Sequence, residues 1–164
     1  MKELYYPIAL RLKDKPALVV GGGQVAERKV KTLLQFGARV CVVSPDLTIA
    51  LRRLSKSSRI AWFNRVVRPS DVTGRDIIIA ATSDTAVNKK ISRWAKRQGI
   101  LVNVVDRANL SSFISPAILL TPKAIVAVYT HGRDPALSRD LKNFLKENWD
   151  VFLSYRRRLQ KRSS

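Results

Sequence analysis

The chain's first strongly apolar run, Ala17–Val20, meets three glycines and then a segment with helical spacing. A short run that is apolar at every position predicts a central parallel strand, because a strand covered on both faces has no reason to alternate. Val25–Phe36 reads as a helix with Val30, Leu33 and Leu34 on one face and Gly37 as its stop. Arg39–Val43 repeats the strand signature and is broken by "SPD". Ile49–Lys56 then reads as a short basic helix, and "IAWFNRVV" as a less buried strand. "DIIIAAT" (76–82) is a fourth strand. Asp84 can cap a helix running through Gln98, in which Val87, Ile91, Trp94 and Ala95 recur at i, i+4, i+7 and i+8. Gly99 ends that helix, and "ILVNVVD" (100–106) is a fifth strand.

This alternation predicts an α/β fold, a Rossmann-like doubly wound parallel sheet with right-handed crossovers. The rhythm changes after Asp106. "SSFISPAILLTPKAIVAVYT" carries two apolar runs separated by "TPK" and reads as a hairpin. Pro135–Asn148 reads as a helix with Leu137, Leu141, Phe144 and Leu145 facing inward, and "YRRRLQKRSS" as a basic helix or tail. The expected organisation is a nucleotide-binding domain over 1–112, a hairpin and helix over 113–148, and a basic C-terminal segment over 149–164.

The turn at the first strand is the strongest local signal. Gly21, Gly23 and Ala26 fill the marked positions of G-x-G-x-x-[GA]. In that pattern the first glycine permits the tight turn and the second lets the backbone approach a pyrophosphate, while the small third residue lets helix pack on strand. A helix N-terminus then presents free N–H groups and a partial positive charge to the phosphates. A glycine turn alone can be a mere corner, but this one lies between an apolar strand and an amphipathic helix, as the chemistry requires. Past the second strand, Asp46 lies about 20–25 residues beyond the first glycine, where a carboxylate would hold the adenosine ribose. It could equally be the N-cap of the next helix. The carboxylate favours NAD over NADP.

Thr82, Asn103 and Asp106 lie at the ends of the fourth and fifth strands, and ligands of open parallel sheets gather beyond those ends. A carboxylate there can act as a general base or simply cap a turn. His131 is the single histidine, in the loop signal "YTHGRDP", and could be solvated, a proton carrier or a metal ligand. Metal-ligand spacing is absent, so no metal is firmly assigned and His131 is the one candidate the residues offer.

Composition and apolar run length add three constraints. Cys41 is the single cysteine, so an internal disulfide is excluded, and its apolar surroundings predict a buried thiol. With no apolar run approaching the ~18 residues of a membrane span, the cytoplasm is the expected location and no membrane partner is expected. Thirty-one Lys and Arg against 12 Asp and Glu give a net charge of +19, a field that favours polyanionic partners. The basic runs are not interleaved with aromatic residues, which weighs against nucleic acid bound on a stacking platform.

Several ordered segments resemble one family, the precorrin-2 dehydrogenase/sirohydrochlorin ferrochelatases of the siroheme synthase N-terminal type. "YYPIALRLKDKPALVVGGGQVAERKVKTLLQFGARVCVVSP" resembles its opening, "AATSDTAVN" its A-A-T-x-D-x-x-[VL]-N segment, and "VNVVD" its V-N-V-V-D. "SFISPAILL" and "VAVYTHGRDPALSRDLKNFL" resemble its S-F-x-x-P-A and S-T-x-G-x-S-P-x-L-[AS]-[KR] segments.

The resemblance implies NAD-dependent oxidation of precorrin-2 to sirohydrochlorin in siroheme or heme biosynthesis. Insertion of ferrous iron, Fe2+, as a chelation substrate often follows. It implies cofactor contacts from Gly21, Gly23, Gln24, Val25, Pro45, Asp46 and Thr82, and Asp106 as the catalytic base and a second candidate metal ligand. Asn103, Thr130 and His131 would border the tetrapyrrole, and the hairpin and following helix would form a homodimer interface. Eight carboxylates on precorrin-2 would give part of the basic charge a task. "YTHGRDP" departs from the family's small-residue loop, which bears on chelation more than on oxidation. The competing reading is a non-catalytic NAD-sensing or nucleic-acid-binding Rossmann module.

Overall fold

A computed structural model describes residues 5–105, 107–131 and 133–162. Two compact units divide the chain, one formed by residues 6–113 and the other by Tyr5 and the described residues from Ile114 onward.

In the first unit, β1 (Pro16–Val20), β2 (Arg39–Val43), β3 (Ala61–Phe63), β4 (Ile77–Ala80) and β5 (Leu101–Val104) form one parallel sheet in the order β3-β2-β1-β4-β5. This is the doubly wound arrangement that the alternating pattern predicts. The strand order reverses at β1, which pairs with β2 on one edge and β4 on the other, and the crevice at such a reversal is where nucleotides bind. β1, β2, β4 and β5 are buried at nearly every position, whereas β3 at the edge is half open, matching its weaker apolar signal.

Helices cover both faces. α1 (Gln24–Gln35) buries Ala26, Val30 and Leu33 in a core shared with Ala17, Val19, Val42 and Leu51 of α2 (Ile49–Lys56). α3 (Thr85–Arg97) buries Ile91 and Ala95 on the opposite face against Leu18, Ile78 and Val102. Complete burial of a side chain such as Ile78 stabilises the fold by about 1.5–3 kcal/mol. Cys41 is buried within this second core, and burial raises its thiol above the usual range. Asp71 closes the long β3–β4 connection from inside. Both of its carboxylate oxygens accept from Arg65 at 2.7 and 2.8 Å, and the Arg68 backbone N–H adds a third bond at 2.7 Å.

The second unit holds the antiparallel pair β6 (Ala117–Leu120) and β7 (Ile125–Val128), then α4 (Pro135–Glu147) and α5 (Trp149–Arg162). The C-terminal basic segment is therefore helical. One expectation fails here. Leu137, Leu141 and Phe144 do not face inward but are 54%, 42% and 59% exposed, while Ser138 is buried and Leu145 half-buried. A two-stranded hairpin covers only a narrow sector of a helix. It takes the stripe containing Ser138 and leaves the neighbouring apolar stripe, at i, i+4 and i+7, uncovered.

Candidate cofactor site

Three strand ends build the site. Gly21 continues β1 with its N–H on the Val43 carbonyl at 3.0 Å, and its φ of +118° is one that side-chain-bearing residues rarely adopt. A Cβ there would lie 2.4 Å from the Ala81 carbonyl oxygen and 3.2 Å from the Thr82 nitrogen, so β4's exit runs directly beside the turn. A Cβ on Gly22 would lie 1.8 Å from the Asp46 carbonyl oxygen. The Gly22 carbonyl in turn accepts the Thr48 N–H at 2.9 Å, tying the glycine turn to the start of α2. The G-x-G-x-x-[GA] pattern assigns no role to this middle glycine. Its role comes from the β2–α2 loop crossing above it, a long-range contact that no local pattern encodes.

Gly23 differs from both neighbours. Its φ is −82°, open to any residue, and a Cβ on it would meet nothing within 4 Å. Neither backbone strain nor internal packing accounts for a glycine at this position. It is also the N-cap of α1, so the cap offers no side-chain oxygen to the first-turn N–H groups. By contrast α2, α3 and α4 are capped by the side chains of Thr48, Asp84 and Asp134. An exposed, uncapped helix start fronted by open space at a glycine fits a bound pyrophosphate, which would take both the space and the N–H groups. Gln24 is exposed and Val25 half-buried on the first turn.

Pro45 and Asp46 follow β2 on the exposed rim. Asp46 is not the cap of α2. Thr48 is, accepting the Leu51 N–H at 3.2 Å while donating to Glu27 at 2.7 Å. The Asp46 carboxylate accepts the Leu47 N–H at 2.8 Å and pairs with Arg52, whose Nε also donates to the Leu47 carbonyl at 3.1 Å. The Arg52 guanidinium, followed by the Leu47 N–H, holds this carboxyl below its ordinary range, so it presents a fixed anion to the rim.

On the other side of the turn, Thr82 is fixed by Asn88, with the hydroxyl donating to Asn88 Oδ1 at 2.7 Å and the Asn88 amide returning to the Thr82 carbonyl at 2.9 Å. Asn88 is buried; it closes the "AATSDTAVN" segment, but a helical asparagine carries no periodic signal that would assign it this role. Asn103 is buried within β5 rather than at its end, and its amide donates to the Phe113 carbonyl at 3.1 Å. Asp106 lies outside the described residues, two positions past the end of β5 in the chain.

In the second unit, the Thr130 hydroxyl lies 2.8 Å from that of Ser138 and donates to the Asp134 carbonyl at 2.7 Å. Asp134 caps α4 through the Leu137 N–H at 2.8 Å, so this departure from the small-residue loop has a structural use. His131 is exposed, with φ of +54°.

The geometry agrees with the likenesses to known proteins. A family model described as putative NAD(P)-binding matches residues 8–117, which takes in all five parallel strands. The chain belongs to this NAD(P)-binding family. Among solved structures, SirC, a precorrin-2 dehydrogenase, aligns with a TM-score of 0.76 and 30% identity over 88% of this chain and 71% of its own. That breadth places the chain in the precorrin-2 dehydrogenase family as well. Siroheme synthase 1 of Aeromonas salmonicida is 43% identical over 142 residues, 87% of this chain and 30% of that protein. Siroheme synthase of Methylococcus capsulatus is 44% identical over 138 residues, 84% of this chain and 29% of that protein. The chain thus spans about 30% of the length of these curated relatives. No helix among the described residues is long and apolar enough to cross a membrane.

Proposed function

We propose that this chain oxidises precorrin-2 to sirohydrochlorin with NAD, as one step of siroheme synthesis. The observation that carries the proposal is Gly23, open and without internal cause at an uncapped helix start, in a chain aligned with SirC over most of both lengths. NAD, when bound, supplies a two-electron acceptor for hydride. The chain's own residues hold and orient it. The α1 N-terminus and the Gly21–Gly23 backbone receive the pyrophosphate, and Asp46 accepts from a ribose hydroxyl, which favours NAD over NADP. Thr82, locked by Asn88, walls the opposite side.

Loss of two hydrogens from the macrocycle requires a proton acceptor as well as a hydride acceptor. We assign the proton to Asp106, by its position just after β5 and its match to the family's V-N-V-V-D segment. Asn103, Thr130 and His131 are proposed to border the tetrapyrrole. Insertion of ferrous iron is a separate proposal, with Asp106 and His131 as the candidate groups. The exposed stripe of Leu137, Leu141 and Phe144 supports assembly as a homodimer through the second unit. The cytoplasm, with its NAD pool, is the proposed location.

The test is anaerobic incubation of the protein with precorrin-2 and NAD, following NADH and sirohydrochlorin absorbance. Catalysed, stoichiometric formation of both is expected, and no rate above the uncatalysed one would overturn the proposal. Asp106→Ala should lose oxidation while keeping NAD affinity; retained turnover would remove Asp106 from the mechanism. Adding ferrous ion to sirohydrochlorin reads chelation independently.

A further inference from the structure

The sequence reading weighed against nucleic acid because no aromatic platform accompanies the basic runs, but a duplex backbone needs no such platform. α3 carries Lys89, Lys90, Arg93, Lys96 and Arg97 and no acidic residue. At about 100° per residue these five positions fall within an arc of about 120°, and they span about 12 Å along the axis. All five are exposed, on the side opposite buried Ile91 and Ala95. Among the described residues none of them makes an ion pair, although acids elsewhere are paired with Lys15, Lys31, Arg52, Arg65 and Arg139.

Lys96 and Arg97 favour the helix C-terminus, where cations oppose the macrodipole. That account does not reach Lys89, Lys90 and Arg93 in the middle. They create like-charge pairs at i, i+3 and i, i+4 (Lys89–Arg93, Arg93–Arg97, Lys90–Arg93, Arg93–Lys96), which destabilise a helix. The cofactor site does not explain them either, since its contacts come from the strand ends and α1.

We infer that the α3 face is a docking surface for the phosphate backbone of double-stranded nucleic acid. A B-form duplex carries about one charge per 1.7 Å of axis with both strands counted, so a 12 Å length of it carries about seven phosphate charges opposite five cations. A membrane surface is the weaker match, because a helix lying on lipid presents exposed large apolar side chains beside its cations, and α3 exposes none. Binding of this kind reads charge rather than sequence.

The test is fluorescence anisotropy of a labelled 20-base-pair duplex titrated with the full chain at several NaCl concentrations. One variant replaces Lys89, Lys90, Arg93, Lys96 and Arg97 with Gln. A charge-matched control replaces Lys142, Lys146, Arg156, Arg157 and Arg158 with Gln. The α3 variant should weaken binding at least tenfold at 100 mM NaCl and flatten the log–log salt slope by up to about 4.5, since each of the five lost phosphate contacts contributes about 0.9. The control should lose less than threefold. Circular dichroism and NADH affinity check that both variants are folded. Should the α3 variant fail to fold, acetylation of the wild-type chain with and without duplex decides, with Lys89, Lys90 and Lys96 protected and Lys142 and Lys146 not. Equal losses in the two variants, uniform acetylation protection, no binding by the wild type, or tighter binding to anionic vesicles than to duplex would each overturn the inference.

Discussion

Substituting alanine at each of the three turn glycines separates what the fold requires from what a ligand requires. At Gly21 the methyl group would sit 2.4 Å from a backbone oxygen at φ of +118°, and at Gly22 it would sit 1.8 Å from another. Both contacts are with backbone, so the segments leaving β4 and β2 must move, and a destabilisation of about 1–3 kcal/mol is expected. Gly23→Ala meets nothing and keeps an ordinary φ. Alanine is a poorer N-cap than glycine by about 0.5–1 kcal/mol, and loss of unfolded-chain freedom returns about 0.4–1 kcal/mol, so the two nearly cancel. At roughly 2–4 °C per kcal/mol, Gly23→Ala should melt within about 3 °C of the wild type, whereas Gly21→Ala and Gly22→Ala melt clearly lower.

Cofactor affinity should follow a different order. A methyl group in the open space before the α1 N-terminus stands where the pyrophosphate must come. A penalty of 1.4 kcal/mol already means tenfold, so a rise in NADH dissociation constant of at least tenfold is expected for Gly23→Ala. Thermal denaturation and NADH fluorescence titration on the same preparations read the two quantities. A Gly23→Ala protein that is stable and binds NADH as tightly as the wild type would refute the assignment of that space to the cofactor.

Other residues give independent checks. Asp46→Asn should lower NAD affinity about tenfold and narrow the gap to NADP, because the fixed anion that accepts a ribose hydroxyl also repels a 2′-phosphate; calorimetric titration with both nucleotides reads it. Asp71→Asn should destabilise the fold by about 1.5–3 kcal/mol in urea titrations, since the buried side chain loses its charge-assisted bonds from Arg65 and the Arg68 N–H. The bonds from Arg65 and the Arg68 N–H outweigh burial and depress the Asp71 carboxyl, so its contribution is complete above its unfolded pKa of about 3.9 and is lost as pH falls through the lower folded value. Denaturant midpoints measured between pH 5 and pH 2 should show that loss in the wild type and little of it in Asp71→Asn. Leu141→Lys should shift sedimentation towards the monomer with little change in melting of the nucleotide-binding unit, because Leu141 is already 42% exposed within one chain.

The sheet was legible because burial on both faces makes a strand apolar throughout, and β1, β2, β4 and β5 all have that character. Asp84 was legible as a cap because its carboxylate acts on N–H groups only two and three residues ahead, at 2.7 and 3.1 Å. What escaped the sequence reading depends on partners distant in the chain. Asp46 and Thr48 both carry capping oxygens just before α2, and only the path of the loop over Gly22 decides that Thr48 caps while Asp46 is left for the rim. The middle glycine itself has no local signature, because its neighbour is 24 residues away.

The misreading of α4 has a different origin. Periodicity reports how many faces of a helix are apolar, not whether the cover belongs to the same chain. Leu137, Leu141 and Phe144 satisfy the inward pattern perfectly well and are still exposed, because β6 and β7 are too few to reach them. α3 makes the complementary point. Its buried stripe matches the periodicity of Val87, Ile91 and Ala95, whereas its outer face carries five exposed cations and no acidic residue, which periodicity alone does not weigh. In both helices the residues left over after the chain's own core is satisfied carry the information about what else the protein touches. The uncovered apolar stripe supports the proposed second copy, and the unpaired cationic stripe the inferred duplex contact.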